Sequence, residues 1–226
     1  MATPKKAIAK KVKIFLVDDH PIVRRGLQFM LSLESNMTVC GEAESGGEAL
    51  EKIPALQPDA VVVDLTLKAS SGLDLIKDLR RQCPKAKILV FSMHDELFYA
   101  ERVLRSGAHG YITKEEGTEK AVEALRVILQ GKKYVSPSVA SRLLDTMTGP
   151  SSDTSGPSID RLSDRELEVL QLIGSGLGTR AIAEKLHLSV KTIESYREHI
   201  KAKLGLGGAA ELASYAFNWV NRSKGS

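Results

Sequence analysis

The sequence predicts an α/β protein in two parts, a five-stranded, parallel, doubly wound sheet followed by a small all-α domain. Short apolar runs alternate with amphipathic stretches from residue 12 to 130, the pattern of βα units around a parallel sheet. Residues 149–157, Gly-Pro-Ser-Ser-Asp-Thr-Ser-Gly-Pro, then offer no apolar side chain to bury and read as a linker. Beyond them only helical periodicity remains. A chain of 226 residues agrees with two domains, since single domains cluster near 100–150 residues.

Five runs qualify as strands: Val12–Val17, Met37–Gly41, Ala60–Leu65, Lys87–Phe91 and Gly110–Thr113. The unbroken Ala60-Val-Val-Val63 reads as a central strand covered on both faces. Helices are expected near 21–33, 45–57, 72–82, 96–106 and 117–130, with Gly72, Pro84, Gly107 and Gly131 at the turns. One short helix is expected over Pro137–Met147, with Val139, Leu143 and Leu144 on a side. Four short helices are expected over 161–222, broken by Gly174, Gly176, Gly178 and Gly205.

Composition narrows the function. At 42% hydrophobic and 27% charged residues the chain is an ordinary globular protein. Its net charge of +4 is uneven: five lysines and no acid in residues 1–13, 16 basic against 18 acidic residues over 14–135, and ten against seven over 161–226. Cys40 and Cys83 are too few for a disulfide framework, which favours a reducing, cytoplasmic setting. No stretch approaches 18 apolar residues, so neither a membrane span nor a membrane partner is expected.

In open parallel sheets, ligand-binding residues gather at the carboxyl ends of the strands. The first run ends in Asp18-Asp19, the third in Asp64 and the fourth in Ser92, and Lys114 follows the fifth. Singly, each has a plain structural use as a helix cap, turn residue or solvated charge. Together they bring three carboxylates, a hydroxyl and an ammonium to one rim. Three crowded carboxylates call for a cation, and all-oxygen donors suit Mg2+. Such a rim can receive a phosphoryl group, with Asp64 as carboxylate nucleophile and Ser92 and Lys114 binding the phosphoryl oxygens.

These residues resemble the receiver domain of two-component response regulators. The matches are Asp18-Asp19-His20-Pro21, Val61-Val-Val-Asp64-Leu-Thr-Leu, Ser71-Gly72-Leu73, Phe91-Ser92 and Gly110-Tyr-Ile-Thr-Lys114. The resemblance covers about residues 11–131 and implies a flavodoxin-like receiver fold. It implies that Asp64 is the phospho-acceptor, that Asp18, Asp19, Asp64 and the Thr66 backbone carbonyl hold Mg2+, and that Ser92, Lys114 and Tyr111 form the phosphoryl-binding switch. In that family the acceptor is followed four residues later by Pro. Here Lys68 stands there, and a cation beside the pocket is expected to alter Mg2+ affinity or phosphoryl lifetime.

A second constellation lies in 179–204. Thr179 is a candidate N-cap for a short helix carrying Ile182, Ala183 and Leu186, and Ser189 a candidate N-cap for a longer one. Two helices joined by so short a turn suggest helix-turn-helix. Val190, Ile193, Tyr196 or Arg197, Ile200 and Leu204 would face inward, and Lys191, Glu194, Ser195, Glu198, Lys201 and Lys203 outward. An amphipathic helix with a charged face is ordinarily a surface helix. The surrounding residues raise the signal, from Leu162-Ser-Asp-Arg-Glu166 through Val190-Lys-Thr-Ile193 to Lys203-Leu204. They resemble the LuxR-type DNA-binding domain over about 161–222, leaving 132–160 as the connecting segment.

That resemblance implies base contacts from Glu194, Ser195 and Glu198 and phosphate contacts from Arg180, Lys191, Arg197, Lys201 and Lys203 on double-stranded DNA. His187 stands where the family has Gly, at a turn that favours a left-handed backbone. The final helix, about Gly208–Arg222, carries Leu212, Tyr215 and Trp219 on one side. Relatives dimerise through it, so a homodimer is expected when phosphorylated or DNA-bound.

Both halves together resemble NarL/FixJ-type regulators, which implies a sensor histidine kinase as partner. The enzymatic chemistry implied is Mg2+-dependent phosphoryl acceptance and self-dephosphorylation only. A haloacid-dehalogenase-like phosphatase would need a second Asp where Thr66 stands. A metal-free flavodoxin-like binding module would leave three carboxylates crowded without a cation.

Overall fold

The computed structural model describes residues 11–67, 70–148 and 159–224. Lys68, the lysines at 5, 6 and 10, and the 149–157 stretch lie outside the described residues. The chain divides into two compact units, residues 1–148 and 149–226.

In the first unit, five parallel strands form one sheet: β1 (Val12–Val17), β2 (Met37–Ala43), β3 (Ala60–Val63), β6 (Lys87–Ser92) and β7 (Gly110–Thr113), in the order β2-β1-β3-β6-β7. Five helices connect them: α1 (Pro21–Ser32), α2 (Gly46–Leu56), α3 (Gly72–Gln82), α4 (Glu96–Arg105) and α5 (Gly117–Leu129). Ile14, Leu16, Val62, Leu89, Phe91 and Ile112 pack in one core with Leu27 and Leu31 of α1 and Leu125 and Ile128 of α5. Alternate residues point the other way. Among these Phe15, Val17, Val61, Val63, Ile88 and Val90 are equally buried, as a doubly covered parallel sheet requires.

Two differences from the expected strands matter. β2 runs two residues further, to Ala43. The third strand stops at Val63, and the chain makes a separate antiparallel ribbon of β4 (Thr66–Leu67) and β5 (Ser70–Ser71). Gly72 closes this excursion by donating its N–H to the Leu65 carbonyl at 3.0 Å. A Cβ on Gly72 would lie 2.3 Å from the Asp64 carbonyl oxygen, so only glycine allows α3 to start so close to Asp64.

The outer edge of β7 is covered by Tyr134, whose carbonyl accepts from Tyr111 N at 2.8 Å and whose N–H donates to the His109 carbonyl at 3.0 Å. This satisfies backbone groups that an open edge would expose. The next helix, α6 (Pro137–Thr148), belongs to the first unit and packs on α4. Ser136 N donates to the buried carboxylate of Glu96 at 2.7 Å, Arg142 donates to the Leu97 carbonyl at 3.1 Å, and Val139 is buried.

The second unit holds α7 (Asp164–Gly174), α8 (Thr179–Lys185), α9 (Val190–Leu204) and α10 (Ala209–Lys224). Leu167, Leu170, Ile182, Ile193, Ile200, Leu204, Leu212 and Ala216 are its buried core. Gly174 permits α7 and α10 to approach, since a Cβ there would fall 2.4 Å from the Ala216 carbonyl. The inward stripe of α10 is Leu212, Ala216 and Val220, at i+4 spacing, with Tyr215 and Trp219 only half-buried beside it. Tyr215 and Trp219, expected on the same side as Leu212, therefore lie at the margin of the stripe. The smaller residues take that position because the helices come too close for rings.

Candidate functional site

The carboxyl ends of β1, β3, β6 and the start of the segment after β7 meet at one rim. Parallel strand order places β1, β3, β6 and β7 side by side, so residues just past their ends become neighbours. Asp18 and Asp64 are both 3% exposed. The Lys114 ammonium sits between them, 2.6 Å from Asp18 Oδ2 and 2.6 Å from Asp64 Oδ2. Ser92 is fully buried at the end of β6, with Tyr111 fully buried on the adjacent strand.

Electrostatics at this rim are strained in the direction the residue types predict. Burial, joined by the neighbouring Asp64 carboxylate, pushes the Asp18 carboxyl above its ordinary value despite the Lys114 ammonium. Burial works against the charge on Lys114, but the two carboxylates overcome it and hold the ammonium above the usual lysine value. Asp18, Asp19, His20 and Asp64 can bring ligand atoms within 4.8 Å of one another. Asp19 Oδ1 is buried and makes no hydrogen bond, although His20 Nδ1 lies 2.7 Å away. An orphaned carboxylate oxygen beside two more carboxylates fits a hard cation.

The loops around the rim are tied to one another. Arg24, on the buried side of α1, donates to the Asp18 carbonyl at 2.6 Å and pairs with Glu44 at 2.9 Å. Thr66 N donates to Asp64 Oδ1 at 3.3 Å, and Thr66 Oγ1 lies 3.0 Å from His94 Nε2. His94 N donates to Ser92 Oγ at 3.4 Å, and the His94 carbonyl accepts from the Tyr111 hydroxyl at 2.9 Å. Burial keeps the Tyr111 phenol protonated, well above its ordinary pKa. His94 thus links the loop after β3, Ser92 and Tyr111 just before α4 begins. Sequence reasoning missed His94 and Arg24. Arg24 left a signal, a charge on the apolar face of an amphipathic helix; His94 left none.

In the second unit α8 and α9 form a helix-turn-helix. Thr179 is not the cap: Gly178 occupies that position, without a side-chain bond, and Thr179 is the first helical residue. Ser189 does cap α9, accepting from Thr192 N at 3.0 Å. His187 takes φ 53°, the left-handed conformation expected at that turn. Val190, the first residue of α9, is 40% exposed rather than inward.

Glu194, Ser195 and Glu198 lie exposed on α9, as do Lys191 on that helix and Arg180 on α8, while Arg197 is half-buried. Two cations are already engaged. Lys201 pairs with Glu198 at 2.9 Å, and Lys203 reaches Glu166 at 2.6 Å. Glu166 is buried at the start of α7, where it forms a reciprocal capping box with Ser163. Burial opposes its charge, but the bonds from Lys203 and Ser163 outweigh this and hold its carboxyl below the ordinary value.

Comparison with known proteins agrees with both halves. Residues 14–126 match the response regulator receiver domain, and residues 160–216 match the bacterial regulatory proteins of the luxR family. The oxygen regulatory protein NreC of Staphylococcus carnosus is 38% identical over 209 residues, covering 91% of this chain and 96% of that protein. Among solved structures, the Salmonella typhimurium response regulator RcsB is 30% identical with a TM-score of 0.56, covering 91% of this chain and 98% of that one. RcsB from Salmonella enterica serovar Typhimurium, bound to promoter rprA in the presence of the phosphomimetic BeF3-, gives a TM-score of 0.58 at 30% identity, covering 92% and 98%.

Proposed function

Because the chain belongs to the two-component response regulators that join a receiver domain to a LuxR-type DNA-binding domain, we propose that phosphorylation of Asp64 by a sensor histidine kinase controls its binding to DNA. The observation that carries this reading is the pairing of a buried Asp64 with Lys114 at 2.6 Å, beside Asp18 and Asp19. In the transfer an Asp64 oxygen attacks phosphorus. The bond from phosphorus to the donor imidazole breaks, and its electron pair stays on the imidazole nitrogen, which takes up a proton.

Asp18, Asp19, Asp64 and the Thr66 carbonyl are the residues that would hold Mg2+, and the buried, unbonded oxygen of Asp19 supports that set. The ion supplies positive charge against the phosphoryl oxygens. Lys114 leaves its bridge between Asp18 and Asp64 to bind one phosphoryl oxygen, and Ser92 donates its hydroxyl to another. Ser92 is already tied to His94, and His94 to Tyr111, so a shift of Ser92 is felt at the head of α4. The chemistry of the site is phosphoryl acceptance and its hydrolytic reversal.

On the DNA side, α9 enters the major groove. Glu194, Ser195 and Glu198 face base edges, where a carboxylate accepts from cytosine N4. Arg180, Lys191, Arg197 and Lys201 contact phosphates. We assign Lys203 instead to holding α9 against α7 through Glu166, since its charge is spent there. DNA-bound dimers are recorded for RcsB, and a homodimer is the DNA-bound form we infer here. The free thiols Cys40 and Cys83 suit a cytoplasmic regulator, and no helix among the described residues is long and apolar enough to cross a membrane.

The test is labelling by acetyl phosphate. Wild type takes up one phosphoryl group only with Mg2+ present, and Asp64→Asn takes up none. Labelling of Asp64→Asn at the wild-type level would refute the assignment.

A further inference from the structure

In a parallel sheet every connecting helix runs back against the strands, so the last turns of α3 and α5 come down at the end where β6 begins. That end lies opposite the carboxylate rim. There the loop 107–109 gathers four nitrogen-bearing side chains from separate elements. Arg80 of α3 lies across Gly107, where a Cβ would meet its Cγ at 2.6 Å and its Nε at 3.1 Å. Lys133, beyond α5, donates to the Ala108 carbonyl at 2.5 Å. His109 Nδ1 accepts from Ile88 N at 3.1 Å, which leaves the ring proton on Nε2. Lys87 is the residue before Ile88 and opens β6.

Among the described residues, no carboxylate forms an ion pair with Arg80, Lys87 or Lys133. Asp59 is the near acid, since its carbonyl accepts from Lys87 N, but its carboxylate is turned to the backbone N–H of Lys13 at 2.8 Å. The crowding registers in the groups themselves. Burial, with Lys133, Lys87 and Arg80, drives His109 down to about 4. Burial, with Arg80 and Lys87, lowers the Lys133 ammonium below the ordinary lysine value. A basic last turn answers the macrodipole of α3, Arg80 donates to the Pro84 carbonyl at 3.0 Å and Lys133 to that of Ala108, but these single bonds leave donors on both side chains and do not account for a lysine opening a strand beside them.

We propose that this amino end of the receiver sheet binds the phosphate groups of duplex DNA. A guanidinium fork, two ammoniums and a neutral imidazole N–H form a donor set suited to phosphate oxygens. The exposed Lys85 and Lys132 flank it, and Lys11 and Lys13 enter β1 at the same end. DNA is the phosphate source because the chain already carries a duplex-binding helix, whose outer face sets Glu194 and Glu198 among its cations and loses Lys203 to the buried Glu166, so that phosphate contacts from elsewhere in the chain would add to its affinity. The inference rests on the DNA-binding reading given above.

The test is the salt dependence of full-chain binding to duplex DNA. Each phosphate contact contributes about 0.9 to the slope of log K against log salt concentration. The variant Arg80→Ala/Lys87→Ala/Lys133→Ala is expected to lose about 2 to 3 from the slope, against about 1 for Lys191→Ala on the reading helix. The charge-keeping variant Arg80→Lys/Lys87→Arg/Lys133→Arg retains the wild-type slope. An unchanged slope in the alanine variant, with Lys191→Ala still lowering it, overturns this proposal and leaves the reading helix standing. Equal loss in both triple variants overturns it as well, since charge would not be the cause. Failure of the wild type to bind duplex DNA removes the proposal together with the DNA-binding reading.

Discussion

Glu198 and Lys201 lie 2.9 Å apart on the exposed face of α9, so removing the acid also frees a cation. Glu198→Ala is therefore expected to relax base preference at one operator position and to strengthen binding to unrelated duplexes. Lys201→Ala should weaken every sequence alike. Binding to a random-sequence pool separates the two, and a Glu198→Ala protein indistinguishable from wild type on all sequences would contradict the assignment. Beside Asp64, Gly72→Ala forces a methyl against the Asp64 carbonyl. Overpacking of this kind costs about 1–3 kcal/mol, so thermal melting should show a lower Tm, and acetyl phosphate should label Asp64 more slowly. Asp18, Asp19, Asp64, Ser92 and Lys114 were legible because strand ends are legible, and the parallel order does the rest. His94 was not, because its role comes from the hydrogen bonds it shares with Thr66, Ser92 and Tyr111 across two loops, which no spacing encodes.

Among the elements, α7 and α9 are joined by the buried Glu166, held by Lys203 and the Ser163 cap. A carboxyl held below its unfolded value stabilises the fold above that value, about 4.3 for glutamate, and the stabilisation is lost as pH falls through the folded value. The second unit should therefore lose thermal stability on acidification below about pH 4, measured by circular dichroism, and Glu166→Gln should flatten that dependence. A Glu166→Gln protein with the wild-type acid profile would contradict it. Helix α6 shows the same kind of joint on the first unit. Glu96, whose carboxyl is raised by burial, receives Ser136 N at 2.7 Å. Helix periodicity revealed α6 but not what it packs on. The ribbon of β4 and β5 was also illegible, since two-residue strands are too short for any pattern, and the smaller inward stripe of α10 depends on how closely α7 approaches.

At the scale of the whole chain, the modest net charge conceals an ordered distribution. The receiver carries crowded carboxylates at one end of its sheet and crowded cations at the other, while α9 exposes two glutamates. The order of charges along the sequence carries the excess but not the two ends, because strand direction decides which residues meet. The chain joins a receiver to a DNA-binding unit, and the function proposed for it requires that the state of Asp64 reach that unit. The direct test is the affinity of the full chain for its selected duplex with and without acetyl phosphate and Mg2+, in wild type and in Asp64→Asn. The account predicts that the phosphoryl donor changes affinity in wild type and leaves Asp64→Asn unmoved. Equal affinity in wild type with and without the donor, under conditions where Asp64 is labelled, would contradict it.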